Sequence, residues 1–350
     1  MTVKVFVVDD SAVVRQAMAH MLSSSTEVEL VGSAPNPLLA AEAIRRCKPD
    51  VLLLDIEMPG MDGLTFLRQI MSTTPIPTVI CSTLSQHGSR VALDALSAGA
   101  VAVMAKPQLG LKQFMEDSRR EMIQTLKTAA RSRPRMGLAP VLASSLPLRT
   151  AAHVGVHALA MNKPVVIGSS TGGTQALELV LTQLPVDAPG IAITQHMPEK
   201  FTAMYASRLN GICAMEVREA KDGDRLGRGV VLIAPGGLHM QLKKAAGQYF
   251  VHVLDGPPVN RHKPSVDVLF RSAAECAGKD ALALILTGMG DDGARGMKAL
   301  HDAGGRCIAQ NEETCVVFGM PKEAIKLQAV DEILPLEQMA RAILQFDSRA

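Results

Sequence analysis

Tryptophan is absent from this 350-residue sequence and tyrosine occurs only twice, against nineteen methionines, a bias for which elementary chemistry offers no account. A surplus of charge of either sign is missing too: 36 basic residues face 34 acidic ones, for a formal net charge of +2. Nothing in that balance pulls the chain towards nucleic acid or an anionic membrane, so partners must be recognised locally. The six cysteines, Cys47, Cys81, Cys213, Cys276, Cys307 and Cys315, form no Cys-x-x-Cys pair and meet no zinc-like histidine spacing. Reduced, mostly buried thiols are expected instead. No uninterrupted apolar run reaches membrane-spanning length, and Met1 to Asp10 reads as a strand ending in two acids rather than a charged lead before an apolar segment. The expectation is a cytoplasmic protein without a nucleic-acid partner and without direct membrane insertion.

What is present is enough apolar residue, 47%, for two domains that each bury a core. The chain is organised around Val165 to Leu177, an apolar β-branched run that breaks into small residues and resumes as a helical pattern with Ala176, Leu177, Val180 and Leu181 on one face. Strand, tight turn and helix are predicted in that order. Such a turn suits either a phosphate, held by free N–H groups and the helix dipole, or a nucleophilic serine beside oxyanion donors. Gly168-x-Ser170-x-Gly172 has the spacing of a nucleophile elbow, which by itself leaves both possibilities open.

The first domain alternates strands with helices. Strands are expected at Val3 to Val8, near Leu30 and Val31, at Asp50 to Leu54, at Thr78 to Cys81 and at Ala100 to Ala105. Right-handed crossovers then make the sheet parallel and gather Asp9, Asp10, Asp55, Ser82 and Lys106 at one edge. Three carboxylates together repel one another unless a cation sits among them, and all-oxygen ligands favour magnesium. A carboxylate beside a metal and a lysine can accept a phosphoryl group. Asp9-Asp10, Asp55-x-x-Met58-Pro59, Ser82 and Lys106-Pro107 resemble the receiver domain of two-component response regulators, over residues 1–122. The resemblance implies that Asp55 is the phosphoacceptor, that Asp9, Asp10 and Asp55 hold magnesium, and that Ser82 and Lys106 sense the phosphate. Val103 departs from the pattern, since receivers commonly carry Tyr or Phe there.

Residues 123–162 read as a helix end and a flexible linker, rich in Arg, Pro, Ser and Ala, with Pro134, Pro140 and Pro147 interrupting any helix. A tether of this kind has an r.m.s. span of roughly 30 Å and cannot transmit strain, so control between the halves is expected to come from docking.

In residues 163–350 the next strand, Ile191 to Thr194, ends in Gln195-His196 where a dinucleotide site would want an acid for the ribose, which disfavours nucleotide. Further strands are expected at Val230 to Ala234, as a pair near Gln241 to Leu254, at Ala281 to Leu286 and at Arg306 to Ala309. Ser170, His196 and Asp292 each follow a strand and can meet at the carboxyl edge as nucleophile, base and orienting acid. On chemistry alone Ser169, His239, His262 and Asp291 compete with them. Gly168-x-Ser170-Thr171-Gly172-Gly173, Thr194-Gln195-His196-Met197-Pro198, Ala234-Pro235-Gly236, Asn260-Arg261-His262-x-Pro264-Ser265-Val266-Asp267 and Thr287-Gly288-Met289-Gly290-x-Asp292-Gly293 are similar to the chemotaxis protein-glutamate methylesterase family.

That resemblance selects Ser170, His196 and Asp292, adds the Met289 backbone as an oxyanion donor, and implies no cofactor in the catalytic domain. It implies a phosphorylation-activated serine esterase that demethylates glutamate methyl esters and deamidates glutamines on chemoreceptors. The partners it implies are the cytoplasmic domains of methylated chemoreceptors, with a chemotaxis histidine kinase as phosphodonor. The expected fold is α/β: a (βα)5 receiver around a central parallel sheet, and a doubly wound, mostly parallel α/β/α serine-hydrolase domain. The alternative is a receiver coupled to a phosphate- or nucleotide-binding effector without esterase activity.

Overall fold

The computed structural model describes residues 2–58, 62–82, 86–106, 112–132, 163–199 and 201–348. Pro59, Gly60, Met61, Pro107 and the linker from residue 133 to 162 lie outside them. The chain divides into two compact units, Met1–Leu142 and Ala143–Ala350. No helix among the described residues is long and apolar enough to cross a membrane.

The first unit is a five-stranded parallel sheet in the order β2-β1-β3-β4-β5. Its strands are β1 (Val3–Val8), β2 (Val28–Ala34), β3 (Val51–Asp55), β4 (Thr78–Ser82) and β5 (Ala102–Ala105). Every residue of β3 and β4 is buried, as a strand covered by helices on both faces requires. β2 is longer than its two clear apolar residues suggested, because it pairs along the whole of β1 while leaving one side of itself partly exposed. Strand order reverses between β1 and β3, so the residues at those two ends border the crevice where open α/β sheets bind ligands.

The second unit holds a seven-stranded parallel sheet in the order β14-β13-β12-β6-β7-β9-β8 and an antiparallel hairpin, β10 with β11. The central strands are β6 (Val165–Ser169), β7 (Ile191–Gln195) and β12 (Leu282–Ile285), all fully buried. Towards the edges lie β9 (Val230–Ile233) and β13 (Arg306–Gln310), then β8 (Glu216–Glu219) and β14 (Glu332–Leu334). The last two escape a reading of the sequence because an edge strand exposed on one side needs no apolar run, and glutamates occupy three of their seven positions.

Helix α6 (Gly173–Leu181) buries Ala176, Leu177, Val180 and Leu181, the face its periodicity predicts. Helix α8 (Val266–Cys276) puts Leu269, Phe270 and Ala273 into a core shared with Met240, Leu242, Tyr249 and Val251 of the hairpin. That hairpin is β10 (His239–Ala245) and β11 (Gln248–Leu254), tied to α8 where Leu242 N–H donates to Ser272 Oγ at 2.8 Å.

Helix α8 lies so close to β6 that a Cβ on Gly168 would fall 2.2 Å from Val266 Cγ1 and 3.2 Å from Phe270 Cζ. Gly168→Ala is therefore expected to cost about 1–3 kcal/mol through overpacking. Denaturant unfolding of the second unit measures this, and an unchanged midpoint would contradict it.

Candidate functional site

In the first unit the carboxylates of Asp9, Asp10 and Asp55 lie within 4.8 Å of one another, Asp9 and Asp55 buried and Asp10 exposed. One oxygen of each buried acid is fixed by backbone: Ser11 N–H donates to Asp9 Oδ1 and Glu57 N–H to Asp55 Oδ1, both at 2.9 Å. The other oxygens face Lys106, whose Nζ is 2.6 Å from Asp55 Oδ2 and 3.2 Å from Asp9 Oδ2. Asp9 Oδ2 nevertheless has no hydrogen bond among the described residues. Burial, aided by the charge of Asp55, holds the Asp9 carboxyl above its ordinary pKa despite Lys106. Burial is also the largest influence on Lys106 and pushes it down, but the hydrogen bond and charge of Asp55 and the charge of Asp9 outweigh it, so its pKa ends raised. One ammonium leaves this cluster short of positive charge. An all-oxygen donor set with a buried orphan oxygen fits a hard divalent cation such as magnesium. Ser82 ends β4 beside the cluster, its carbonyl accepting from Lys106 N–H at 2.9 Å. Val103 is half-buried in β5.

In the second unit β6 lies between β7 and β12. Ser169 pairs with Gln195, so Ser170 and His196 each stand one residue past the ends of adjacent strands. His196 N–H donates to Ser169 O at 3.1 Å, and on the other side Ser170 N–H donates to Thr287 O at 3.0 Å. The two serines differ in what they face. Ser169 is fully buried and its Oγ donates to Gln195 Oε1 at 2.6 Å, whereas Ser170 is half-buried. Gln195 Nε2 then donates to the carbonyls of Ser170 and His196 at 2.9 and 3.1 Å, a buried staple between the two loops. Gly172 caps α6 at φ +79°, a left-handed turn that a side chain would strain.

Asp292 is completely buried and accepts four hydrogen bonds. Ser265 Oγ and Asp267 N–H reach Oδ1 at 2.8 and 3.2 Å, and Val266 N–H and His196 Nε2 reach Oδ2 at 2.7 and 2.8 Å. Two of those donors open α8, so the helix dipole also favours the negative charge. Burial alone raises the Asp292 pKa and is the largest single influence. The bonds from His196, Ser265 and Val266, with the charge of His196, reverse it and leave the carboxylate below its usual range. With Nε2 given to Asp292, the other ring nitrogen of His196, Nδ1, is buried and has no hydrogen-bond partner among the described residues.

The competing residues are accounted for differently. His239 is buried with both nitrogens engaged, Nε2 with Pro257 O at 3.0 Å and Nδ1 with Ser265 N–H at 3.3 Å. Asp291 is partly exposed and pairs with Arg261 at 3.5 Å. His262 lies flat on His196, ring centroids 3.8 Å apart. The turn of Met289 packs against Ser170, since a Cβ on Gly288 would come within 2.8 Å of Ser170 Cβ.

Gln195, Ser265 and Asp267 are given no catalytic role in the reading of the sequence alone, and His262 figures there only as a rival base. The run from Asn260 to Asp267 was the available signal, but nothing in its spacing says which atoms it presents. Asp267 accepts from Gly293 N–H at 3.1 Å and Gly296 N–H at 2.7 Å, at the start of helix α9 (Ala294–Asp302). Asp292 serves α8 in return, so each carboxylate satisfies the first turn of the other's helix.

The family described as CheB methylesterase matches residues 165–343, and that described as response regulator receiver domain matches residues 5–116. A protein-glutamate methylesterase/protein-glutamine glutaminase 2 of Xanthomonas campestris is 56% identical over 347 residues, covering 97% of this chain and 99% of that protein. A relative of the same name from Dechloromonas aromatica is 54% identical over 352 residues, 98% of each. The crystal structure of the Thermotoga maritima CheB methylesterase catalytic domain is 40% identical, covers 53% of this chain and 98% of its own, and has a TM-score of 0.51.

Asp267→Ala strands the buried N–H groups of Gly293 and Gly296, and a loss of about 2 kcal/mol or more is expected in denaturant unfolding. Asp267→Asn keeps an accepting oxygen and should cost clearly less. Equal losses would mean the charge, not the acceptor, matters.

Proposed function

The chain belongs to the CheB methylesterase family, and we propose that within it Ser170 is the nucleophile, His196 the general base and Asp292 the acid that orients the base. The protein is a protein-glutamate methylesterase and protein-glutamine glutaminase governed by a response-regulator receiver domain. The observation that carries the assignment is the division of the His196 ring: Asp292 holds Nε2 and Nδ1 is buried without a partner.

A carboxylate on Nε2 selects the tautomer with its proton there and leaves the lone pair on Nδ1. Nδ1 takes the Ser170 hydroxyl proton as Oγ adds to the side-chain carbonyl of a glutamate methyl ester, and the Asp292 charge stabilises the imidazolium that forms. His196 then gives that proton to the departing methoxide, leaving an acyl-serine and methanol. A water activated by the same Nδ1 cleaves the acyl-enzyme to the glutamate product. Glutamine follows the same route with ammonia as the leaving group. We assign the Met289 backbone N–H to the oxyanion, where one donor is worth about 3–4 kcal/mol.

We read residues 1–122 as the receiver, 123–162 as helix end and linker, and 163–350 as the catalytic domain. Asp55 is the phosphoacceptor, with Asp9, Asp10 and Asp55 as magnesium ligands and Ser82 and Lys106 as phosphate sensors. Magnesium, when bound, offsets the negative charge of the carboxylates and of the incoming phosphoryl group. Lys106, 2.6 Å from Asp55 Oδ2, supplies a further positive charge, and the Glu57 N–H bond to Oδ1 fixes the orientation of that carboxylate. The reading makes the protein cytoplasmic, with a chemotaxis histidine kinase as donor and methylated chemoreceptor cytoplasmic domains as substrates. The phosphate-binding alternative is not favoured, since the family it would have to leave is an esterase family.

Ser170→Ala, His196→Ala and Asp292→Asn are each expected to lower methanol release from methylated receptors by about 10⁴-fold or more, and the triple variant little further, because the three act as a unit. Ser169→Ala should retain most activity. Undiminished release by Ser170→Ala would refute the assignment. For the receiver, phosphate from a small-molecule donor should appear on Asp55 only with magnesium present, and methanol release should then rise. Mass spectrometry of the Asp55→Asn protein checks this: a phosphoaspartate formed elsewhere at the wild-type rate would show the acceptor to be wrong.

A further inference from the structure

The base is held by more than its carboxylate. The rings of His196 and His262 are stacked, with centroids 3.8 Å apart and planes inclined by 12°. Among the described residues the His262 ring makes no hydrogen bond, so no structural network accounts for its place there, in contrast to His239. Its backbone, however, is tightly set. Val259 and His262 exchange two hydrogen bonds, at 3.1 and 3.0 Å, across Asn260 at φ +49° and Arg261 at φ +68°. Two central residues with positive φ make the tight reversal that hairpins use, and an arginine adopts it only when its surroundings dictate it. A few residues on, the same segment supplies Ser265, Val266 and Asp267 to Asp292. One stretch of chain thus holds both the carboxylate on the edge of the His196 ring and the imidazole on its face.

The two supports do different things. A hydrogen bond to Nε2 fixes one atom but leaves the ring free to tilt about that bond, which would swing the Nδ1 lone pair away from Ser170. A flat ring against its face removes the tilt. We propose that His262 is a positioning residue for the esterase reaction, bracing the plane of His196 so that Nδ1 is aimed at Ser170 and offering an uncharged face to the imidazolium formed in the transition state. The proposal rests on His196 being the base.

The charge state of the brace matters because a π-face accommodates a cation and a second imidazolium repels it. Burial, then the positive charges of His196 and Arg261, push His262 down to about 4, with Asp292 and Asp291 acting in the opposite sense. His262 is therefore neutral at physiological pH.

The test uses the full-length protein, with kcat and KM for methanol release measured across pH for His262→Ala, His262→Phe and His262→Arg, and with Ser170→Ala alongside. His262→Ala should lower kcat about ten- to a hundredfold with KM nearly unchanged, the range expected for a misaimed reacting group. His262→Phe restores a flat neutral face and should recover most of that loss, with the acid limb of kcat/KM where the wild type has it. His262→Arg can still stack but is permanently charged, and should move that limb to lower pH by about one unit or more. The proposal fails if His262→Ala keeps wild-type kcat, if His262→Phe is folded and as impaired as His262→Ala, or if His262→Arg leaves the limb unmoved. Should His262→Ala not fold, the other two variants still decide. Undiminished methanol release by Ser170→Ala would instead overturn the assignment of Ser170 and His196 as nucleophile and base, whatever the His262 variants do.

Discussion

The catalytic unit depends on one buried charge, the carboxylate of Asp292. Leaving water costs such an ion several kcal/mol unless its surroundings replace the lost hydration. Here Ser265, Val266, Asp267 and His196 donate four bonds to it, two of them from the open first turn of α8. The constraint spreads outward. To supply those donors α8 must start beside the end of β6, and that closeness is what requires a glycine at position 168. The loop bearing Asp292 must in turn be anchored, and Asp267 anchors it by satisfying α9. Asp267 on α8 therefore accepts from the start of α9, and Asp292, in the loop before α9, accepts from the start of α8.

Two buried carboxylates, Asp292 and Asp9, end up on opposite sides of their ordinary pKa, and for this pair the difference lies in the donors and charges around them. Asp292 is held low by four donors despite complete burial. Asp9 is held high, with one backbone donor, a second acid nearby and a lysine it shares with Asp55. The first arrangement is finished within the chain. The second gathers three carboxylates around a single ammonium and leaves negative charge in excess. Both occur where parallel strands end, because that edge collects loop residues from several strands while the sheet holds them at fixed spacing.

The His196 ring is held from two directions. Asp292 meets one edge of the His196 imidazole and His262 covers one face, so the remaining nitrogen has a defined direction. The strained turn at Asn260 and Arg261 belongs to the same design, as backbone strain persists where surrounding bonds over-determine it.

The apolar runs of β3, β4, β6, β7 and β12 and the alternation of strand with helix were enough, read in one dimension, to establish two parallel α/β units and to bring Asp9, Asp55, Lys106, Ser170, His196 and Asp292 to their strand ends. Burial on both faces leaves no polar alternation to confuse such strands. Edge strands β8 and β14 were not legible, because half-exposed strands carry no such signature. Nor could spacing separate Ser169 from Ser170, or His196 from His239 and His262; that took the motif resemblance, while the surroundings in which these residues differ exist only in tertiary structure. Which of two adjacent side chains points into a site depends on strand register, and which nitrogen of a ring is engaged depends on a partner almost a hundred residues away. Gln195 claims Ser169, Pro257 and Ser265 claim His239, and Asp292 claims one edge of His196. Those choices exist only once the strands are paired and the helices packed, since they are decided by distances of about 3 Å between atoms that the chain order leaves far apart.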